Sequence, residues 1–176
     1  LYHQIFTGLY FSPAAKLKGE IKVGVGRKDY NNERNWQDVA YDEAWEPSLE
    51  VELNYLMSEK TEFDLTLLRS TYESVDIDTS SYSRNAAYFT WHQKLIGSFS
   101  FQADIGYALE DYETRAGLAD RDDDIYELGG KITYAIRDWL HTSLSYRYEE
   151  RDTSDELFRN EDYVNNLFMW SIKAEL

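Results

Sequence analysis

Apolar and polar residues alternate with a period of two along most of the chain. The clearest case is segment 98–110, where Phe, Ala, Ile, Tyr and Leu fill the odd positions and mainly polar or small residues fill the even ones. Successive side chains of a strand point to opposite faces, so this pattern predicts strands with one apolar and one polar face. Nine segments follow the pattern: 2–11, 17–30, 45–57, 62–72, 85–96, 98–110, 125–137, 140–149 and 163–176.

The connections between these segments alternate between short and long. Short ones fall at 12–15, 58–61, 97–98 and 138–139, and long ones at 31–43, 73–84, 110–124 and 149–162. The long stretches hold 21 of the 33 acids and 6 of the 18 bases, which accounts for the whole net charge of −15. Short turns at one end and longer loops at the other are typical of transmembrane β-barrels. The predicted fold class is therefore all-β, an antiparallel transmembrane β-barrel.

A soluble sandwich or lipocalin-like barrel would also alternate, and two features weigh against it. Most segments have 10–14 residues, whereas soluble strands are commonly about 5–6 residues long. Aromatic side chains also gather near the segment ends, as in the girdles of membrane barrels. Those near the acidic stretches are Tyr72, Tyr107, Tyr112, Tyr126, Tyr148 and Tyr163, and those near the short turns are Phe11, Phe63, Phe99 and Trp139.

An odd number of strands raises the question of closure, because the first and last strands then run in the same direction. Bacterial single-chain barrels have even strand numbers. No signal peptide precedes the first segment. We therefore expect residues 1–176 to be one domain that is incomplete at the N-terminus, the C-terminal part of a larger, even-stranded barrel.

Composition removes several other classes of protein. No run approaches the roughly 18–20 apolar residues of a membrane helix, and the mean hydropathy is −0.63. The chain has no Cys, which excludes disulfides and thiolate metal sites. A net charge of −15 argues against a nucleic-acid partner, which would favour a basic surface.

The alternation assigns side chains to the two faces of the predicted wall. Charged residues of both signs at the polar parity are predicted to face a water-filled lumen, since burying them dry would be costly. This lumen-facing set is Lys18, Lys22, Glu46, Glu50, Glu52, Asp104, Lys131 and Arg147. The set predicted to face lipid is Phe99, Phe101, Ile105, Leu128, Ile132, Leu144, Phe168 and Trp170.

The glutamates of the lumen-facing set could make ion passage selective for cations, and nearby lysines could cancel this selectivity. Glu46, Glu50 and Glu52 share one face, where they could favour cation passage. Lys18, Lys22 and Lys28 on the preceding strand could pair with them across the ladder, and we favour this mutual neutralisation.

No catalytic residue, cofactor site or metal site is predicted. The three histidines have no metal-like spacing, and Ser143, two residues from His141, shows no sign of activation. The weak candidates for a divalent cation are Asp120, Asp122, Asp123 and Asp124, which we interpret first as a solvated acidic loop. The chain is therefore predicted not to be an enzyme, with an outer-membrane hydrolase as the least favoured hypothesis.

Three segments resemble the putative beta-barrel porin 2 family of Gram-negative outer-membrane proteins. They are the hairpins 53–65 and 138–152 and the final strand 165–176, and the resemblance spans residues 45–176. It implies a porin-type barrel and supplies no catalytic residues. Some members of the family are found beside exopolysaccharide or surface-assembly machinery, which implies a role near such machinery.

The predicted function is a porin-like channel or export barrel of the bacterial outer membrane, passing small polar solutes or a surface polymer. The alternative is a plugged or partner-filled barrel that anchors a surface or envelope-spanning assembly. The expected partners are outer-membrane lipids and lipopolysaccharide, with other envelope or export proteins as further candidates. The cargo, lumen width and oligomeric state stay open.

Overall fold

The computed structural model describes residues 2–28, 44–73, 79–114, 121–154 and 162–175. Within these residues, nine strands form one antiparallel sheet in which each strand pairs with its neighbours in the chain. No helix long and apolar enough to cross a membrane occurs in the described part of the chain. The strands are β1 (Tyr2–Ala14), β2 (Leu17–Lys28), β3 (Ala44–Ser58), β4 (Thr61–Glu73), β5 (Thr79–Lys94), β6 (Phe99–Thr114), β7 (Arg121–Arg137), β8 (Leu140–Thr153) and β9 (Tyr163–Ala174).

The nine-stranded, antiparallel, all-β prediction is confirmed, but several strands are longer than predicted. β5 begins at Thr79 instead of residue 85, β7 begins at Arg121 instead of 125, and β8 continues to Thr153 instead of 149. Much of three acidic stretches, 73–84, 110–124 and 149–162, is therefore strand. Both faces carry polar residues there, so the apolar–polar contrast disappears although the backbone ladder continues. The stretch 31–43 lies outside the described residues.

The two ends of the sheet differ in their connections. At one end, which we call the short-turn end, the strands are joined by residues 15–16, 59–60, 95–98 and 138–139. Gly97 in the third of these turns has a φ of 72°, a left-handed backbone conformation that favours glycine. We call the opposite end, where the chain spans 29–43, 74–78, 115–120 and 154–162, the long-connection end.

The pairing register keeps two faces continuous across all nine strands. Direct cross-strand partners share a face, and partners such as Lys22↔Glu50 and Ile105↔Leu128 carry the same parity from strand to strand. We call the face bearing Lys22 and Asp104 the polar face and the face bearing Ile105 the apolar face. β1 pairs with β2 and β9 with β8, so the described sheet is not closed.

The polar face is the concave side of the sheet. Side chains two strands apart touch on it: Gln4 of β1 donates to Ser48 of β3, and Arg151 of β8 donates to Glu110 of β6. A small apolar core also lies there, formed by Ala86, Ala108 and Ile125. These residues stand in one row across β5, β6 and β7. Curvature therefore brings together the side chains of the polar face.

Candidate functional site: the polar face of the sheet

The structure places the two predicted sets of residues on opposite faces. All eight residues predicted to face a lumen lie on the polar face, and all eight predicted to face lipid lie on the apolar face. Several of the apolar side chains are well exposed, with Ile105 at 57%, Leu144 at 58% and Phe168 at 72%.

Carboxylates dominate the polar face of β3 and β4. Glu46, Glu50 and Glu52 lie there on β3, with Glu62 and Asp64 on β4. On β2, Lys22 pairs with Glu20 at 3.1 Å and with Glu50 at 3.2 Å, as the sequence suggested for that lysine. Lys18 instead lies opposite Asn54, and the side chain of Lys28 is outside the described part of the structure. The predicted neutralisation is therefore found at Glu50.

Three arginines and two carboxylates form a largely buried cluster near the long-connection end. We define this arginine–carboxylate cluster as Arg84, Glu110, Arg121, Asp123 and Arg151. Arg121 Nε and Nη2 donate to the two oxygens of Asp123 at 2.9 and 2.6 Å, a bidentate pair. Arg151 Nε donates to Asp123 at 2.8 Å and its Nη2 to Glu110 at 2.8 Å. Arg84 Nη1 donates to the other oxygen of Glu110 at 2.8 Å.

The cluster connects four strands by side chains alone. Arg84 lies on β5, Glu110 on β6, Asp123 on β7 and Arg151 on β8. Asp123 is fully buried, and each of its oxygens accepts from arginine. Removing any one partner of such a buried ion pair would destabilise the fold, because the remaining charge would stay buried without a counter-charge.

A row of tyrosines continues from the cluster across the same end of the sheet. Tyr72, Tyr82 and Tyr112 are direct cross-strand partners on β4, β5 and β6. Their rings stack at centroid distances of 5.4 and 4.8 Å, and the Arg121 guanidinium lies 4.3 Å from the Tyr112 ring centre. We call this row the tyrosine stack. Stacked rings and a cation over a ring face both stabilise such an arrangement.

The tyrosine stack corrects the predicted outer aromatic girdle. Tyr72, Tyr112 and Tyr163 were grouped with the residues of that girdle, but the register places all three on the polar face. Tyr107 and Tyr126 do lie on the apolar face, with ring centres 5.3 Å apart. Distance from the acidic stretches does not decide which face a tyrosine occupies, because strand parity decides it up to the strand ends.

The described part of the acidic run, residues 121–124, is also not the solvated loop that we expected. Asp122, Asp123 and Asp124 lie in β7, and Asp120 lies outside the described residues. Asp123 points into the arginine–carboxylate cluster, while Asp124 accepts a hydrogen bond from Tyr107 on the other face. Among the described residues, no group of three or more His, Asp or Glu side chains could hold a metal ion.

The histidines and Ser143 do not come together. Ser143 hydrogen-bonds to Ser171 at 2.7 Å, and His141 Nε2 lies 3.3 Å from the carbonyl oxygen of Asp138. His92 contacts Asp64 at 3.1 Å. In this arrangement the hydroxyl of Ser143 is hydrogen-bonded to Ser171, and the ring of His141 contacts the backbone.

On the polar face, recesses open between the cluster and the short-turn end. One of about 350 Å³ lies at mid-sheet, where Gly106 and Gly129 leave space between Asp104, Glu127 and Arg147. A side chain at Gly106 would meet the ring of Tyr88, so glycine allows that ring to lie against the backbone. Another recess, of about 490 Å³, lies at the short-turn end and includes Lys94 and Lys131.

A curved antiparallel sheet with an exposed apolar outer face and a charged inner face is the wall of a membrane β-barrel of the porin type. The family described as "Putative beta-barrel porin 2" matches residues 3–176, and the chain belongs to this family. The match extends the resemblance, which the sequence suggested for residues 45–176, to nearly the whole chain. No curated protein matches the chain.

Proposed function

We propose that this chain forms the wall of an outer-membrane channel, with the apolar face against lipid and the polar face around a water-filled lumen. The observation that carries the proposal is the contrast between the faces. Exposed large apolar side chains extend over β1 to β9 on one face. On the other face, ion pairs join β2 to β3 and link β5 to β8, and the exposed apolar side chains include Tyr10 and Leu167 on the edge strands β1 and β9. Soluble monomers rarely expose an apolar patch of more than a few hundred Å². This supports contact between the apolar face and lipid.

The height of the apolar band agrees with a bilayer. On β6 the apolar residues run from Phe99 to Leu109. At a rise of about 3.4 Å per residue this is roughly 34 Å along the strand, and a tilt of about 40° reduces it to about 26 Å. The apolar band of outer-membrane barrels is about 25 Å tall.

Charges on the polar face require water. Lys131 and Arg147 are exposed on that face, and placing such groups in a dry interior would cost several kcal/mol each. The concave side therefore suits a solvated pathway for small polar solutes or for a surface polymer. The proposed partners at this location are outer-membrane lipids and lipopolysaccharide, with envelope or export proteins as further candidates.

We expect closure of the barrel to need more strands than the nine described here. Unpaired backbone groups at the edges of β1 and β9 would be costly in lipid. β1 and β9 run in the same direction, so pairing them directly would make a parallel seam. An odd number of further strands between these edges would close an antiparallel barrel with an even total, as bacterial barrels have.

A plugged or anchoring barrel is the second candidate, and the arginine–carboxylate cluster is the observation that favours it. Together with the tyrosine stack, the cluster fills the concave face near the long-connection end of β4 to β8. Such a filled region could narrow or block the pathway and serve as a rigid base for a partner.

Single-channel conductance of the natively purified protein in a planar bilayer separates the two candidates. Stable unitary current steps are expected for the channel, and their size bounds the lumen width. Insertion of the protein without any conductance would contradict the channel and support the plugged or partner-filled barrel.

A further inference from the structure

We propose that the recess at the short-turn end of the polar face is a binding site for oxyanions such as phosphate or carboxylate groups of a solute. We define this anion recess by Lys94, Ser100, Lys131 and Thr133, which are among its lining residues. The inference deepens the proposed function, because it names the charge class of the solute that enters the lumen at this end.

The pairing register lets both lysines reach one point. Lys94 of β5 pairs with Ser100 of β6, which pairs with Thr133 of β7. Lys131 stands on β7 one step of the same face above Thr133 and is paired with Gln102 of β6. Two strand spacings and one such step separate the Cα atoms of the lysines by roughly 12 Å. Two lysine side chains of about 6 Å each can therefore meet over Ser100.

The donors of the anion recess are not used within the described part of the protein. Lys94 and Lys131 are exposed and make no ion pair or hydrogen bond through their ammonium groups there. The hydroxyls of Ser100 and Thr133, both half-buried, likewise have no hydrogen-bond partner among the described residues. Two ammonium groups and two hydroxyls thus offer hydrogen bonds to a single anion, and charge-assisted bonds are the stronger kind.

Two neighbouring carboxylates, Asp104 and Glu62, accept hydrogen bonds from other groups. Asp104 accepts hydrogen bonds from Thr90 at 3.0 Å and Gln102 at 2.8 Å. Glu62, on the far side of the recess, accepts a hydrogen bond from Asn54, and Glu59 lies in the turn at its edge. A ligand anion therefore meets the two lysines without first displacing a hydrogen-bonded carboxylate from either of them.

Arg147 extends the row of cations toward mid-sheet. Arg147 of β8 lies opposite Gly129, one step of the polar face above Lys131, and lines the mid-sheet recess. It has no ion-pair partner among the described residues. Lys94, Lys131 and Arg147 thus rise along the concave wall from the short-turn end. An anion leaving the recess would next enter the mid-sheet recess, where Arg147 lies with Asp104 and Glu127.

Calorimetric titration of the folded protein in detergent micelles with inorganic pyrophosphate tests the site. We expect saturable binding that weakens by roughly tenfold or more in Lys94→Gln and in Lys131→Gln, since each variant removes a charge-assisted contact. Both side chains are exposed, so the variants should keep the strand signal of the circular dichroism spectrum.

Lys18→Gln is the matched control, because Lys18 is an exposed lysine of the same face on the distant strand β2. We expect its pyrophosphate affinity to stay within about twofold of wild type. The proposal is overturned by absence of saturable binding, by unchanged affinity in the Lys94→Gln, Lys131→Gln double variant, or by an equal loss in Lys18→Gln. A citrate titration then shows whether carboxylates bind as phosphates do; weaker citrate binding would restrict the class to phosphates.

Single-channel conductance measured in chloride solution, before pyrophosphate is added, tests the proposed channel independently of the anion recess. Unitary currents that pyrophosphate leaves unchanged, together with absent calorimetric binding, would remove the anion recess and leave the channel. Specific pyrophosphate binding by a protein that never conducts would remove the channel and keep the recess as an anion site.

Discussion

Arginine substitutions at two adjacent residues of β8 distinguish a lipid-facing wall from a water-facing one. Leu144 lies midway along the apolar face of β8, 58% exposed, between its cross-strand partners Ile132 and Trp170. In water, an arginine at so exposed a position would change the free energy of unfolding by no more than about 0.5 kcal/mol. Against lipid near mid-membrane, the same substitution costs about 2–4 kcal/mol.

The following residue supplies the matched control. Ser145 lies on the polar face and makes one long hydrogen bond, 3.4 Å to the carbonyl oxygen of Met169. An arginine there stays in water and should cost less than about 1 kcal/mol. On β6, Ile105→Arg should repeat the cost at Leu144. Asp104→Arg is a less clean control, because it gives up two hydrogen bonds of about 1 kcal/mol each.

Denaturant unfolding of the four variants in lipid vesicles, followed by tryptophan fluorescence, measures these differences. The expected result is a loss of about 2–4 kcal/mol for Leu144→Arg and Ile105→Arg and a much smaller loss for Ser145→Arg. Equal losses for Leu144→Arg and Ser145→Arg would refute the assignment of the apolar face to lipid. Small losses at both would support a soluble sheet.

Three further experiments test the polar face. Arg151→Met should lower the free energy of unfolding by about 3–5 kcal/mol, because it leaves two buried carboxylates short of a partner. The control Arg147→Met should change this free energy by less than about 0.5 kcal/mol. Similar thermal unfolding of the two variants would contradict this. Tyr82→Leu should lower the free energy of unfolding by about 1–3 kcal/mol because two ring contacts are lost, and Tyr82→Phe should lower it far less. Chemical unfolding measures both, and equal losses would mean that ring stacking does not stabilise the sheet. Glu50→Gln should leave the reversal potential nearly unchanged because Lys22 already neutralises that carboxylate, and a large shift would make Glu50 part of a selectivity filter.

The architecture of the sheet follows from the sequence because a period of two records both faces of a strand at once. Each predicted strand overlaps an observed one, and the predicted parity of residues such as Asp104 and Ile105 agrees with the register. In a single-layer wall, one face contrasts with the other at most steps through the apolar band, with exceptions such as Arg69 on the apolar face and Leu68 on the polar face. The pattern is therefore strong wherever the apolar band runs.

The pattern fails at the long-connection end, where both faces are polar. Asp122 and Asp123 lie on opposite faces of β7, yet as adjacent acids they suggested a loop. Continuing the parity of segment 125–137 back to 121 and 123 would have placed Arg121 and Asp123 on the polar face. Even then, the contact of Arg151 with Glu110 depends on sheet curvature and on the register of β6, β7 and β8, which local sequence does not encode.

Single-cysteine labelling along β6 tests the central claim most directly, and the absence of native cysteine makes it clean. Cysteine is placed in turn at Gln102, Ala103, Asp104 and Ile105, and the protein in lipid vesicles is treated with a small water-soluble maleimide. The two-faced wall predicts rapid labelling at Gln102 and Asp104 and protection at Ala103 and Ile105. Equal labelling at all four positions, or protection at Gln102 and Asp104, would contradict a lipid-facing apolar face and a water-filled lumen.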